Sequence, residues 1–445
     1  MRQTVIPKRL ITSCLPDKID TFIDPIKKVI QNTSWMLVSE ACARASRLVT
    51  IIIMANVLSS IDYGLAMLAL VCHELLRTLS RIGSGGKIIQ CLKKDLNKFA
   101  GNAYALNWII SIVIAALQFI LAPYIASYYS APDITPLLRL MAASYLIYPW
   151  VAIKVHLLQR ENRMKYFNLC NAAAISTDNL ATALFLSLGM GIYAVAYAKI
   201  LAALVWVLGF RSAKTERIKP QLSLTVQIAL IAFSSRVLGS ELLKALRGQI
   251  DILLAGRLLA PEIFGLYSFA KSAGVGLSQS LSNAFLAGIY PRLADFYRGA
   301  SDHTLAYTQG KKVVFGVAAV ISLIFIGQSL AAPVYIPILF DDKWHSATAL
   351  VSILCLSAIP AMMLDTSALI QRVQYCLNSE MALQLAGVAI LFSGLLISNP
   401  DTAIDFAVFT TGFSFTWILL SVYLIRPRLD TAQQHSLQTA NKISH

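Results

Sequence analysis

Charged side chains are scarce in this sequence. Asp, Glu, Lys and Arg together make up 14% of its residues, against roughly 25% in a soluble domain. That shortage excludes an ordinary water-facing surface. Acidic residues are the scarcer sign, 23 against 38 Lys and Arg. The seven cysteines (Cys14, Cys42, Cys72, Cys91, Cys170, Cys355, Cys376) include no Cys-x-x-Cys pair and no Cys/His cluster, so no metal site is expected. None of them falls in a predicted outer loop, and no disulfide is expected. A Walker-type phosphate loop is absent, which argues against ATP as the direct energy source. Residues 1–31 carry no apolar core and no small-residue cleavage site, which argues against a Sec-type signal peptide.

What is present is apolar. Hydrophobic residues make up 57% of the chain, the mean hydropathy is +0.64, and apolar runs recur from residue 32 to residue 425. A membrane-crossing helix needs about 20 such residues. The expected class is an all-α polytopic membrane protein. Spans are placed at 32–58, 62–86, 102–128, 135–157, 166–189 and 191–210, then at 222–258, 262–290, 311–338, 345–370, 379–398 and 402–425. This divides the chain into a basic lead (1–31), an N-terminal six-helix lobe (32–210), a charged linker (211–221), a C-terminal six-helix lobe (222–425) and a polar tail (426–445).

The loops test that count. Connections after even-numbered spans carry the basic residues, among them Lys87, Lys93, Lys94, Lys98, Arg160, Arg163, Lys214, Arg217, Arg298 and Arg372. Connections after odd-numbered spans read SSID, YYSAPD, GMG, APE, FDDKWHS and SNPD, with Lys343 the exception. Basic loops stay in the cytoplasm. Twelve spans with both termini cytoplasmic satisfy the pattern, and this placement accounts for the net charge of +15 without nucleic acid as a partner. An even number of spans per half makes the two lobes parallel, related by an axis along the membrane normal. Trp35, Tyr124, Tyr128, Tyr129, Tyr145, Tyr148, Trp150 and Trp344 fall near span ends, as an interfacial aromatic belt requires.

One turn occurs twice. ANVLSSIDYGL (Ala55 to Leu65) and GRLLAPEIFGL (Gly256 to Leu266) align without gaps at a shift of 201 residues, and each ends in an aromatic-Gly pair. At the same shift Glu40 falls on Glu241, and Arg44 and Arg47 fall within one residue of Lys244 and Arg247. The ordered match marks an internal duplication.

The duplicated stretches also hold charge at membrane depth. Glu40, Arg44 and Arg47 share one helix face in the first span. Lys244, Arg247 and Asp251 share one in the seventh, with Glu241 beside them and Arg236 a few turns earlier. Each such charge facing lipid would cost about 2.5–3.5 kcal/mol, so these faces look into protein or a wet cavity. Two readings follow. Glu40–Arg44 and Arg247–Asp251 have the spacing of intrahelical pairs. Arg47, Lys244 and Arg236 lack a partner on their own helices, which favours a cationic cavity that receives an anionic group. On that reading Arg44, Arg47, Arg236, Lys244 and Arg247 bind substrate, and neutralising Arg47 or Arg247 abolishes transport without unfolding. Glu40, Glu74, Asp178, Glu241, Asp251 and Asp365 are candidates for charge pairing or for binding a coupling H⁺ or Na⁺. Asp178 is expected to pair with Lys199, His73 to pack, and Asp365, below a kink at Pro360, to meet the inner interface.

The residues carry a family resemblance. IKKVIQNTSWMLVSEACARASRLVTIIIMANVLSSIDYGLAMLAL at the start resembles the opening of bacterial polysaccharide-biosynthesis flippases, of the multidrug/oligosaccharidyl-lipid/polysaccharide superfamily. IGSGGKIIQ (82–90), QRENRMKYFNLCN (159–171), GMGIYAVAYAKI (189–200) and QIDILLAGRLLAPEIFGLYSFAKS (249–272) extend the likeness through residues 27–425. The resemblance implies two lobes in a V, alternating access, and a cationic lumen for an undecaprenyl-pyrophosphate-linked glycan, with Arg44 and Arg47 matching first-helix arginines and Lys244, Arg247 and Asp251 the charged seventh helix. Relatives with fourteen spans have a helix pair that this chain lacks. The expected function is a flippase of the bacterial inner membrane, not an enzyme, with no cofactor and an ion gradient (H⁺ or Na⁺) as candidate energy source. Its expected partners are the lipid-linked anionic glycan, membrane lipids, and a polysaccharide polymerase or glycosyltransferases. Two rivals stand beside it. A multidrug/cation antiporter of the same superfamily needs an acidic, uncompensated lumen. A membrane polymerase or glycosyltransferase needs a sizeable extramembrane loop, and none is found.

Overall fold

The computed structural model describes residues 41–80, 85–216, 218–276, 303–373 and 377–424, with isolated positions 282, 285, 286, 289 and 293 between them. Trp35 and Glu40 lie outside these residues. Every regular element among the described residues is helical, as long Leu-, Ala- and Ile-rich runs require where backbone N–H and C=O groups must be satisfied within one segment.

The helices, in chain order, are α1 (41–57), α2 (Ser60–Leu79), the short α3 (Gly85–Gln90), α4 (Leu96–Tyr128), α5 (Ile134–Ala142), α6 (Ala152–Arg160), α7 (Met164–Ser187), α8 (Ala194–Arg211), α9 (Leu224–Leu258), α10 (Pro261–Ala273), α11 (His303–Leu339), α12 (Thr348–Val373), α13 (Leu377–Ser398) and α14 (Ala403–Leu424). Among the described residues six helical stretches are long and apolar enough to cross a membrane, and a seventh qualifies if the bent pair Ile134–Trp150 and Ala152–Arg160 counts as one span. The chain is an all-helical, multi-pass membrane protein. The helices that miss this count include α1, α2 and α9, which carry the intramembrane charges described above.

Several starts are written in the sequence. Ser59 Oγ accepts from the Asp62 N–H at 3.1 Å and donates to Asp62 Oδ2 at 2.8 Å. Thr402 and Asp405 repeat this at 3.1 and 2.7 Å. Each pair supplies a partner for a first-turn N–H that the helix itself cannot satisfy. Pro261 opens α10, where a missing N–H costs nothing. The expected span 135–157 is broken instead. Two 3-10 turns, Ala143–Leu146 and Tyr148–Trp150, separate α5 from α6, and the halves bend by 47°. Pro149 removes an N–H from the ladder there. Upstream, Gln118 Nε2 donates to the Leu138 carbonyl at 2.7 Å while Tyr145 Oη donates to Gln118 Oε1 at 2.8 Å.

By contacts the chain forms two compact units: residues 1–57 with 79–235, and 58–78 with 236–445. The boundary between lobes was expected at 211–221; the contact boundary falls at 235, within α9, and α2 belongs to the second unit.

In the first unit α7 and α8 form a hairpin closed by hydrogen bonds from Tyr166 Oη to the Gly209 carbonyl at 2.6 Å and from Trp206 Nε1 to Asn171 Oδ1 at 2.9 Å. The segment before α9 is strapped to α4 by Gln221 N–H on the Gly101 carbonyl (3.2 Å) and Ser223 N–H on Asn102 Oδ1 (2.6 Å).

In the second unit α12 packs on α10, α11, α13 and α14. Ser329 and Ser352 exchange hydroxyl-to-carbonyl bonds at 2.8 and 3.0 Å between α11 and α12. The duplicated turns meet here. A Cβ on Gly265 would stand 1.9 Å from the Ser60 carbonyl oxygen, and one on Gly64 would stand 2.8 Å from Phe264 Cδ1. Tyr63 packs edge-on against Phe269 and Trp344, whose rings stack at 4.2 Å. Lys343 donates to the Leu58 carbonyl at 3.0 Å, which gives the one basic residue expected in an outer loop a helix end to cap. Trp344 and Tyr145 are therefore core residues and not members of an interfacial belt, because both rings are wholly enclosed. Tyr124, Tyr128 and Trp150 remain exposed.

Candidate functional site: the intramembrane charges

In the second unit the helix α9 sets out Ser240, Glu241, Lys244, Arg247 and Asp251 along successive turns. Arg247 Nη2 lies 2.5 Å from Asp365 Oδ1, and Lys244 Nζ lies 3.1 Å from Asp365 Oδ2. One carboxylate on α12, its side chain 1% exposed, thus bridges both cations. Arg247 is 8% exposed and also donates through Nε to Gln384 Oε1 at 2.8 Å, whereas Lys244 keeps 33% of its side chain open. Asp365 is thus a buried bridge between two cations of α9.

Asp251 makes a separate set of contacts. Lys271 Nζ is 2.5 Å from its Oδ1, and Tyr267 Oη donates to its Oδ2 at 2.8 Å. The Arg247–Asp251 pair suggested by i, i+4 spacing yields to these partners. Each charge finds a ligand on a facing helix that also shields it from lipid, and a buried ion needs that shielding.

At the other end, Arg372 Nη1 contacts Glu241 Oε1 at 2.9 Å and its Nη2 contacts Glu380 Oε1 at 2.5 Å. Ser240 Oγ donates to the same Glu380 oxygen at 2.5 Å. Arg372 was expected in a basic loop; it lies in the last turn of α12, half-buried among carboxylates. Counting the eight groups named, Lys244, Arg247, Lys271 and Arg372 balance Glu241, Asp251, Asp365 and Glu380. Lys244, expected to lack a partner on its own helix, finds one across helices in Asp365. Lys271, Arg372, Glu380 and Gln384 were missed because each partner sits on a different helix, often more than 100 residues away. The signal in sequence was their own presence inside apolar runs.

In the first unit α1 carries Arg44, half-buried, and Arg47, exposed. Between them, Ser46 Oγ accepts from Asn179 Nδ2 at 2.9 Å, and Thr50 Oγ1 donates to the Asn179 carbonyl at 2.8 Å, fixing α1 against α7. Asp178, beside Asn179, takes Lys199 Nζ at 2.6 Å, the pairing favoured on sequence grounds. Glu74 pairs with Arg77 at 2.8 Å one turn along α2, while His73 is buried in the same helix. The Arg236 side chain lies outside the described residues. Among the described residues no group of three or more His, Cys, Asp and Glu is placed to hold a metal ion.

A helical multi-pass membrane protein with charges paired between its helices is the class these features define. The chain belongs to the polysaccharide biosynthesis protein family, whose model matches residues 53–349. Among curated proteins it is similar to the lipopolysaccharide biosynthesis protein WzxC of Escherichia coli (strain K12), 22% identical over 74% of this chain, and to the succinoglycan biosynthesis transport protein ExoT of Rhizobium meliloti (strain 1021), 23% identical over 74%. The chain spans 66% of the length of each. Among solved structures the fold is similar to an inward closed lipid II flippase MurJ (TM-score 0.61, 14% identity, 87% of each chain). It is also similar to an inward-facing multidrug resistance MATE family transporter of the MOP superfamily (TM-score 0.63, 13% identity, 93% of this chain and 100% of that one).

Proposed function

We propose that this chain is a flippase that carries an undecaprenyl-pyrophosphate-linked oligosaccharide, an exopolysaccharide or O-antigen repeat unit, across the bacterial inner membrane. Membership of the polysaccharide biosynthesis family supports the glycan, and the similarity to a succinoglycan biosynthesis transport protein supports transport over catalysis. Twelve spans in two parallel six-helix lobes, with both termini cytoplasmic, would alternate access by rocking. The headgroup must bind one occluded state better than the others, or no net movement follows. An H⁺ or Na⁺ gradient is the proposed drive, and a polymerase and glycosyltransferases are the proposed neighbours in the process.

The observation that carries this reading is the set of basic side chains left open on α1 and α9. Lys244, which shares Asp365 with Arg247, keeps one-third of its side chain open. Arg47 stands exposed on α1, with Arg44 one turn before it. We assign first capture of the pyrophosphate to Arg44 and Arg47, with Lys244 as an accessory and Arg247 in a structural role. Substituting Arg247 would strand Asp365 without its main partner, so it is a poor test of binding.

The decisive variant is Arg47→Gln in proteoliposomes with a defined lipid-linked oligosaccharide. Loss of a charge-assisted contact of about 1.5–3 kcal/mol predicts a roughly 10- to 100-fold fall in flipping at low substrate, with the protein still folded and inserted. Wild-type flipping by Arg44→Gln/Arg47→Gln would remove the assignment. The multidrug-antiporter reading needs uncompensated acid at membrane depth, and Glu241, Asp251, Asp365 and Glu380 each have a Lys or Arg partner.

A further inference from the structure

A basic, partly apolar platform lies at the start of α4, and the flippase reading does not use it. The short helix α3 is seated on the protein by Ile88, which is buried against Leu96, Ala100, Ile153 and Leu157. Arg160 Nη1 donates to the carbonyls of Ile88 (2.7 Å), Ile89 (3.3 Å) and Cys91 (2.7 Å), gathering the end of α3 onto α6. A Cβ on Gly85 would come within 2.6 Å of the His156 ring, so the helix sits tightly on α6. The platform is preformed.

Its outer side combines two chemistries. Ile89 is 41% and Leu92 64% exposed. Around them stand Lys87, which lies over the Phe99 ring at 5.3 Å, and the exposed Lys93, Lys94 and Lys98. Asp95 is the one acidic residue from 85 to 98. A stretch long and apolar enough to cross a membrane, Lys93–Tyr128, begins here, so the platform adjoins the start of a candidate span. A soluble anion would leave Ile89 and Leu92 without a partner, and lysines strung along a segment match a field of phosphates better than a single one. Apolar insertion beside clustered lysines is the pattern that recognises anionic lipid.

We propose that the 85–98 platform is a docking surface for anionic phospholipid headgroups, with Ile89 and Leu92 dipping into the acyl boundary and Lys93, Lys94 and Lys98 holding the phosphates. The test is a titration of the full-length, detergent-solubilised protein with fluorescently labelled phosphatidylglycerol, and with labelled phosphatidylcholine as reference. Wild type should prefer phosphatidylglycerol, and the preference should shrink at 1 M salt, where charges are screened within about 3 Å. Each Lys→Gln change at 93, 94 or 98 should weaken phosphatidylglycerol binding about fivefold, and Leu92→Gln should weaken both lipids. Lys312→Gln, an exposed lysine at the other unit, serves as control and should change nothing. A triple variant Lys93→Gln/Lys94→Gln/Lys98→Gln that keeps the wild-type preference overturns the proposal. So does displacement of phosphatidylglycerol by inorganic pyrophosphate at equal molarity, which would make this a site for a free anion. The Lys93, Lys94 and Lys98 side chains are exposed, so their loss leaves the fold intact and the melting temperature reports on that.

Discussion

At the scale of single residues, Asp365 decides the electrostatics of the second unit. Its two oxygens contact Lys244 and Arg247 at once, sharing one negative charge between two cations. Asp365→Asn is expected to destabilise by about 3–5 kcal/mol, the cost of leaving a buried partner unmatched, seen as a lower melting temperature of the purified protein. The double variant Arg247→Met/Asp365→Leu removes donor and acceptor together and leaves Lys244, the exposed member, to be hydrated. It is expected to melt above either single variant, since replacing a buried pair by apolar groups is often nearly neutral. A double variant less stable than both singles would mean that the pair stabilises through contacts beyond its charge.

At the scale of elements, the paired turns at Gly64 and Gly265 make a graded prediction. Gly265→Ala pushes a Cβ into backbone, the Ser60 carbonyl, whereas Gly64→Ala meets the edge of the Phe264 ring, which can turn aside. Overpacking costs about 1–3 kcal/mol, and Gly265→Ala belongs at or above the top of that range while Gly64→Ala falls at the bottom. Melting curves of the two purified variants give the order, and an inverted order would show that the turns do not pack as described. The duplication was legible in the sequence as an aromatic-Gly pair 201 residues apart. That its two copies pack on each other was not, because a repeat specifies likeness of local structure and says nothing of which surfaces meet.

At the scale of the whole molecule, α2 is covalently flanked by the first unit yet packs with the second. Tyr63 is wholly buried there beside Phe269 and Trp344. Cutting the chain in the 211–221 linker should therefore leave the apolar side of α2 uncovered in the first fragment. Fragments 1–216 and 218–445 are expected to co-purify when co-expressed, and Tyr63→Ala should weaken their association. Recovery of the fragments singly, in equal yield with and without each other, would contradict this. The apolar runs placed the helices to within a few residues over most of the chain, as with Leu377–Ser398 against the expected 379–398 and Ala403–Leu424 against 402–425. They failed where composition alone was uninformative. The stretch 135–157 reads as one apolar span, and its break depends on Pro149 together with side-chain bonds from α4.

The sequence by itself determined that this chain is helical and lives in a membrane, because hydropathy and the satisfaction of backbone polar groups act locally along the chain. It also determined that α1 and α9 carry clustered charges within apolar runs, since helical spacing fixes which residues share a face. Only the tertiary structure decided what those charges do. Arg247 stands four residues from Asp251 and 118 from Asp365, and it binds the distant one. In a low-dielectric interior the stronger pair is the one whose geometry removes both ions from lipid and completes their remaining hydrogen bonds, and that geometry exists only once the helices have packed.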